Sequence, residues 1–217
     1  GHRSPRGGAL AARPGHRLTS LPTFRSVHQP VMGTVLDLRI TAPDEASAQR
    51  VEAAVLAEAR RLEAAFTVFD EASELCRWRR GAVADPSPEL VRLLRLALEW
   101  QVRSAGAFNP AAGLLTARWL RAAAAGVVPD REELAELAAS IADPRIDVRD
   151  GSATPVGDGT ALDLNAIAKG FVVDRALEAG LAALPEAELA VNAGGDLVHR
   201  GGSPLRVGIE DPHRPYD

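Results

Sequence analysis

The stretch ALDLNAIAKGFVVDRAL, residues 161–177, carries the densest set of residues suited to chemistry. Asp163 ends an apolar run, Asn165 stands where it can cap a following helix, and Ala166, Ala168 and Gly170 keep that helix's first turns slim. Unpaired amides at a helix start favour anions, and Lys169 adds a mobile positive charge beside them. Lys169 is also the only lysine among 25 basic residues. Usage so rich in arginine and alanine reads as a bias of the source, so a lone lysine is a candidate for a residue chosen for its chemistry. The plainer alternative is an ordinary strand-to-helix turn with an exposed lysine.

Three further segments add to this signal. VNAGGDLVHRGG, residues 191–202, ends an apolar run in paired glycines followed by Asp196, where glycine permits backbone angles and close ligand approach closed to other residues. SAGAFNPAAG, residues 104–113, sets Phe108 and Asn109 in a glycine-flanked loop suited to stacking on, and amide recognition of, a planar heterocycle. VMGT, residues 31–34, puts the only methionine, Met32, just before a strand pattern. Each has a structural alternative: a turn, a loop with one buried aromatic, and core filling.

The elements that must position these residues follow from periodicity. Thr34 to Ile40 reads as a strand. Pro43 and Asp44 open a long helix whose Val51, Val55, Ala59, Leu62 and Phe66 form one apolar stripe. A turn-rich patch spans Phe69 to Trp78. Ser87 and Pro88 start a second helix that stops near Gly106, Leu114 to Ala124 makes a third, and Asp130 caps a fourth before Asp143-Pro144. Short strands are expected at Arg145–Val148, Thr160–Leu164, Leu189–Asn192 and Leu205–Ile209, with a helix from about Asn165 to Ala183. Helices cluster early and strands late, without βαβα alternation, so the fold class is α+β.

The chain has 217 residues, 46% of them apolar, and a formal net charge of -4. One cysteine, Cys76, excludes an internal disulfide or a thiolate metal cluster. No apolar run approaches the roughly 18 residues that span a bilayer. Residues 1–30 hold five arginines and no acid, leaving 20 basic against 29 acidic residues beyond. This basic stretch reads as a disordered leader to a domain over 31–217; it lacks a signal peptide's apolar region, and compartment stays open. Arginine bias makes nucleic acid a distant reading.

In this order and spacing, VMGT, TVFDEASELCRW, SAGAFNPAAGLLTARW, LDLNAIAKGFVVDRA, VNAGGDL and VGIEDP resemble the ApbE family of FAD:protein FMN transferases. The resemblance implies a mixed α and β flavin transferase fold, FAD as substrate and a divalent cation, usually Mg2+. It also implies transfer of FMN to a threonine of an acceptor flavoprotein with release of AMP; some relatives instead hydrolyse FAD. By position, Met32, Phe69, Ala107, Phe108, Asn109, Asp163 and Lys169 match FAD contacts, and Ala166 matches the residue whose main-chain oxygen binds the metal. No catalytic residue is assigned by the match.

The match departs from the family pattern at Asn109, commonly aspartate, and Phe69, commonly tyrosine. The family also continues past the equivalent of Pro212 with a TSG-type segment, a HIxDPxTG motif and a metal-binding aspartate with a nearby threonine. Their absence reads as a chain truncated at its C-terminal end. The alternatives are a Mg-dependent FAD pyrophosphatase and a catalytically incomplete flavin-binding fragment.

Overall fold

The computed structural model describes residues 21–143, 146–149, 151–156, 162–209, 211 and 213. In chain order the elements are β1 (Thr23–Val31), β2 (Thr34–Thr41), α1 (Glu45–Phe66), α2 (Glu74–Arg79), α3 (Pro88–Arg103), α4 (Gly113–Ala124), α5 (Arg131–Ser140), β3 (Ile146–Arg149), β4 (Ser152–Pro155), α6 (Asn165–Ala183), β5 (Glu188–Ala193) and β6 (Asp196–Arg200). The architecture is α+β, as the residue pattern requires.

Four strands form one antiparallel sheet in the order β1-β2-β5-β6. Period-two alternation gives it one apolar face. Leu36, Leu38 and Ile40 of β2 stand opposite Ala193, Val191 and Leu189 of β5, and all six are buried. Helices α1 and α6 cover that face, α1 over β1 and β2, α6 over β5 and β6. Helix α1 starts where the Asp44 carboxylate accepts the Ser47 amide at 2.7 Å, a bond that also holds the Asp44 carboxyl below the usual carboxylate range. Its buried Val51, Val55, Ala59, Leu62 and Phe66 follow the stripe read from the sequence.

The helices run antiparallel. A Cβ built on Gly180 near the end of α6 would lie 2.7 Å from both Val55 of α1 and Leu189 of β5, and Phe171 near the start of α6 meets Phe66 at the end of α1. A second group packs beside this layer: α2 and α3 cover the β3–β4 hairpin. The fully buried Trp78 of α2 donates its indole N–H to the Ala153 carbonyl of β4 at 2.7 Å. Helices α4 and α5 stand at the edge, joined by the fork of Arg118 on Glu133 at 2.5 and 2.7 Å. Among the described residues no helix is long and apolar enough to cross a membrane.

Several sequence expectations change. Residues 23–30, placed in the basic leader, are most of β1; Arg25 forks onto Asp37 of β2 at 2.9 and 3.0 Å, so these basic residues belong to a sheet edge. Residues 1–20 lie outside the described residues. The turn-rich patch contains α2, started by the Ser73 hydroxyl accepting the Cys76 amide. β4 and β6 were not expected: each follows a tight glycine turn and pairs straight back on its predecessor. Residues 162–164 and 205–209 carry no strand, and 160–161 lie outside the described residues.

Replacing Gly180 with alanine forces a methyl into three packed elements, and Val55 and Leu189 are fully buried with no open side to move toward. The Gly180→Ala protein should lose about 1–3 kcal/mol of stability, read as a lower thermal unfolding midpoint, although alanine is the better helix former.

Candidate functional site

Two tight turns share one end of the sheet. Met32 and Gly33 link β1 to β2 at φ of 51° and 69°, and Gly194 and Gly195 link β5 to β6 at 58° and 103°. Two-residue turns with positive φ match the twist of the strands they join. The β2–β5 register sets them side by side: the Gly194 amide donates to the Val35 carbonyl at 3.1 Å. A Cβ on Gly194 would lie 2.3 Å from the Thr34 hydroxyl, so the close approach requires glycine there.

The end of α1 and the start of α6 lie over these turns and complete a cleft of about 380 Å³. Its apolar lining comes from Met32, Leu62, Phe66, Val68, Phe69 and Val172, and its polar lining from Glu63, Thr67, Asn165 and Lys169. Phe66 is steadied edge-on by Phe171, with ring centroids 6.0 Å apart. Phe69 stands at the lip, 93% exposed. The Lys169 ammonium is 3.2 Å from the Asp196 carboxylate, which joins the densest sequence segment to the paired-glycine turn. Glu63 accepts the Met32 amide at 2.8 Å. A side chain other than glycine in the left-handed region costs roughly 1–2 kcal/mol, and a hydrogen bond to a charged group returns about as much.

The loop after α3 is built differently. The Ser104 hydroxyl accepts the Phe108 amide at 2.9 Å, and Phe108 is half-buried against the core. The Asn109 side chain is consumed locally: its oxygen accepts the Ala111 amide at 2.8 Å and its Nδ2 donates to the Ile141 carbonyl at 2.8 Å. The Asp163 amide donates to the Pro110 carbonyl at 2.7 Å, tying this loop to the start of α6. The Asp163 carboxylate accepts the Asn165 amide at 3.0 Å, so Asp163 steadies the helix start, and Leu164, without a side-chain bond, takes the cap position expected for Asn165.

Of the residues singled out in the sequence, the cleft gathers Met32, Phe69, Asn165, Ala168 and Lys169. Ala107, Phe108, Asn109, Asp163 and Ala166 lie outside its lining, around the adjoining loop and the first turn of α6. Glu63 and Phe66 were read as part of a core helix, yet both line the cleft. Among the described residues no three His, Cys, Asp or Glu side chains gather as a metal site, so the Ala166 carbonyl has no carboxylate cluster beside it.

A family model decides the relationship, matching residues 32–217. The chain belongs to the ApbE family. The ApbE protein of Thermotoga maritima has a similar structure, with a TM-score of 0.75 at 24% identity over 89% of this chain and 65% of that one. The flavin transferase ApbE of Vibrio cholerae superposes with a TM-score of 0.71 at 21% identity, over 88% of this chain and 65% of its own. The flavinyl transferase ApbE of Pseudomonas stutzeri, in its apo form, gives 0.70 at 19%, over 88% and 67%. This ApbE chain thus spans about two thirds of the length of the solved relatives it matches. No curated protein matches it in sequence.

Asn109 has a structural use here, because its amide both accepts from Ala111 and donates to Ile141, which an ionised carboxylate cannot do. Asn109→Asp should set a carboxylate oxygen against the Ile141 carbonyl and cost about 1–3 kcal/mol, seen as a lower urea midpoint with unchanged slope.

Proposed function

We propose that this ApbE chain acts as a Mg2+-dependent FAD:protein FMN transferase, moving FMN from FAD to a threonine of an acceptor flavoprotein and releasing AMP. The observation that carries this reading is the cleft itself. It joins an apolar, aromatic wall of Met32, Phe66 and Phe69 to a single ammonium, Lys169, at the start of a helix. A planar isoalloxazine suits the wall, and the pyrophosphate suits the cation and helix start.

Flavin transfer breaks the bond between the FMN phosphorus and the AMP oxygen while a threonine hydroxyl oxygen bonds to that phosphorus and gives up its proton. The protein's work in such a step is placement and charge neutralisation. Lys169 would exchange Asp196 for a phosphate oxygen, and the Pro110–Asp163 link would keep the loop of Ala107, Phe108 and Asn109 against the helix start. A bound divalent cation supplies further neutralisation of the pyrophosphate. The described residues do not assemble its ligands, so no step is assigned through it. A flavin-binding chain without turnover is a second reading, and FAD hydrolysis the third.

Incubation with FAD, magnesium and a threonine-bearing acceptor separates the three. Covalent, fluorescent flavin on the denatured acceptor supports transfer, free FMN plus AMP without acceptor supports hydrolysis, and FAD binding with neither product supports the second reading. Chelation with EDTA should abolish transfer. Lys169→Ala should lower the efficiency of FAD use by about ten- to a hundredfold, the range for losing one charge-assisted contact. Unchanged affinity and turnover in that variant would remove Lys169 from the site.

A further inference from the structure

The carboxylate of Glu63 is out of place in a cleft proposed for a dianionic dinucleotide. It repels a pyrophosphate, yet it lies in the lining with its Oε1 2.8 Å from the Met32 amide. It also sits one residue off the buried stripe of α1, between Leu62 and Phe66, where core packing asks for no acid. Met32 and Ala105 are the two residues other than glycine at left-handed φ among the described residues, and each begins or adjoins a segment singled out for ligand contact. Such strain persists where surrounding structure enforces it. For Met32 the enforcing bond is visible, and it comes from the last turn of α1.

We propose that Glu63 is a positioning residue of the cleft: its hydrogen bond to the Met32 amide holds the β1–β2 turn in its left-handed form and so presents the Met32 thioether to the ligand. The reading of that ligand as FAD rests on the function proposed above. The placement of Met32 by Glu63 does not. Two consequences follow from the geometry. The negative charge is incidental to the clamp, since any acceptor at the same reach serves. It also biases the pyrophosphate toward Lys169 and leaves the Met32 end to the uncharged ring system.

Met32 is the sole methionine, so methyl-labelled methionine gives one NMR resonance that reports this turn without any ligand. Glu63→Ala should shift or broaden that resonance and raise the FAD dissociation constant about tenfold, as expected for one lost hydrogen bond to a charged group, while the thermal midpoint falls by only a few degrees. Glu63→Gln keeps an acceptor at the same reach, so it should match the parent in the Met32 resonance and, with the repelling charge gone, bind FAD at least as tightly. Glu63→Asp keeps the charge, loses the reach, and should resemble Glu63→Ala. The proposal is overturned if Glu63→Ala leaves the Met32 resonance and FAD affinity as in the parent, or if Glu63→Gln is as impaired as Glu63→Ala. A Met32 resonance that responds in the expected order in a protein that binds no FAD upholds the clamp and rejects the flavin reading instead.

Discussion

The register of β2 against β5 governs the rest of the molecule. Setting Leu36 opposite Ala193 aligns three apolar pairs toward α1 and α6, and a shift by one residue would turn all of them to solvent. The same register brings the β1–β2 and β5–β6 turns together, with Gly194 against Thr34 so closely that no side chain fits between them. Core and cleft are therefore fixed by one set of hydrogen bonds. Because the antiparallel helices lie across the sheet, the end of one and the start of the other reach these turns together. Chain segments more than a hundred residues apart, around Met32 and Lys169, become neighbours without any long loop.

Rigidity is unevenly distributed around the cleft. The floor is core: Leu62, Phe66 and Val172 are buried, and Phe66 is held by Phe171. The Asn109 loop is tied at both ends by side-chain bonds and by the amide of Asp163. The lip is freer, since Phe69 has its ring in water and only a local bond from its amide to the Thr67 hydroxyl. A site with a fixed floor and a free aromatic at its mouth can close over a planar ligand without disturbing the core.

Much of the frame was legible because its signals are local and periodic. The α1 stripe, the Asp44 and Ser87 caps, and strands β2 and β5 follow from spacing alone. What failed was pairing information. β1 looked like a basic leader because Arg25 and His28 read as solvated charge, whereas Asp37 and Glu52 await them across the sheet and on α1. β6 was hidden because DLVHR is too short and too polar to declare itself without its partner. In the site, Lys169 stood out by rarity and Met32 by its motif. Glu63 gave no sign, because one acid on a helix full of glutamates carries no signal until the turn it clamps is seen.

The ion pair of Lys169 with Asp196 also bears on how anything reaches the cleft. The one ammonium in the lining is already matched by a carboxylate, Glu63 adds another, and the chain as a whole is acidic. A dianion approaching from solution meets no attractive field and gains nothing from electrostatic steering; its capture waits on the lysine exchanging one carboxylate for one phosphate at contact distance. Encounter is then slow and quickens as salt screens the like-charge repulsion, and discrimination between ligands falls to their lifetimes in the cleft.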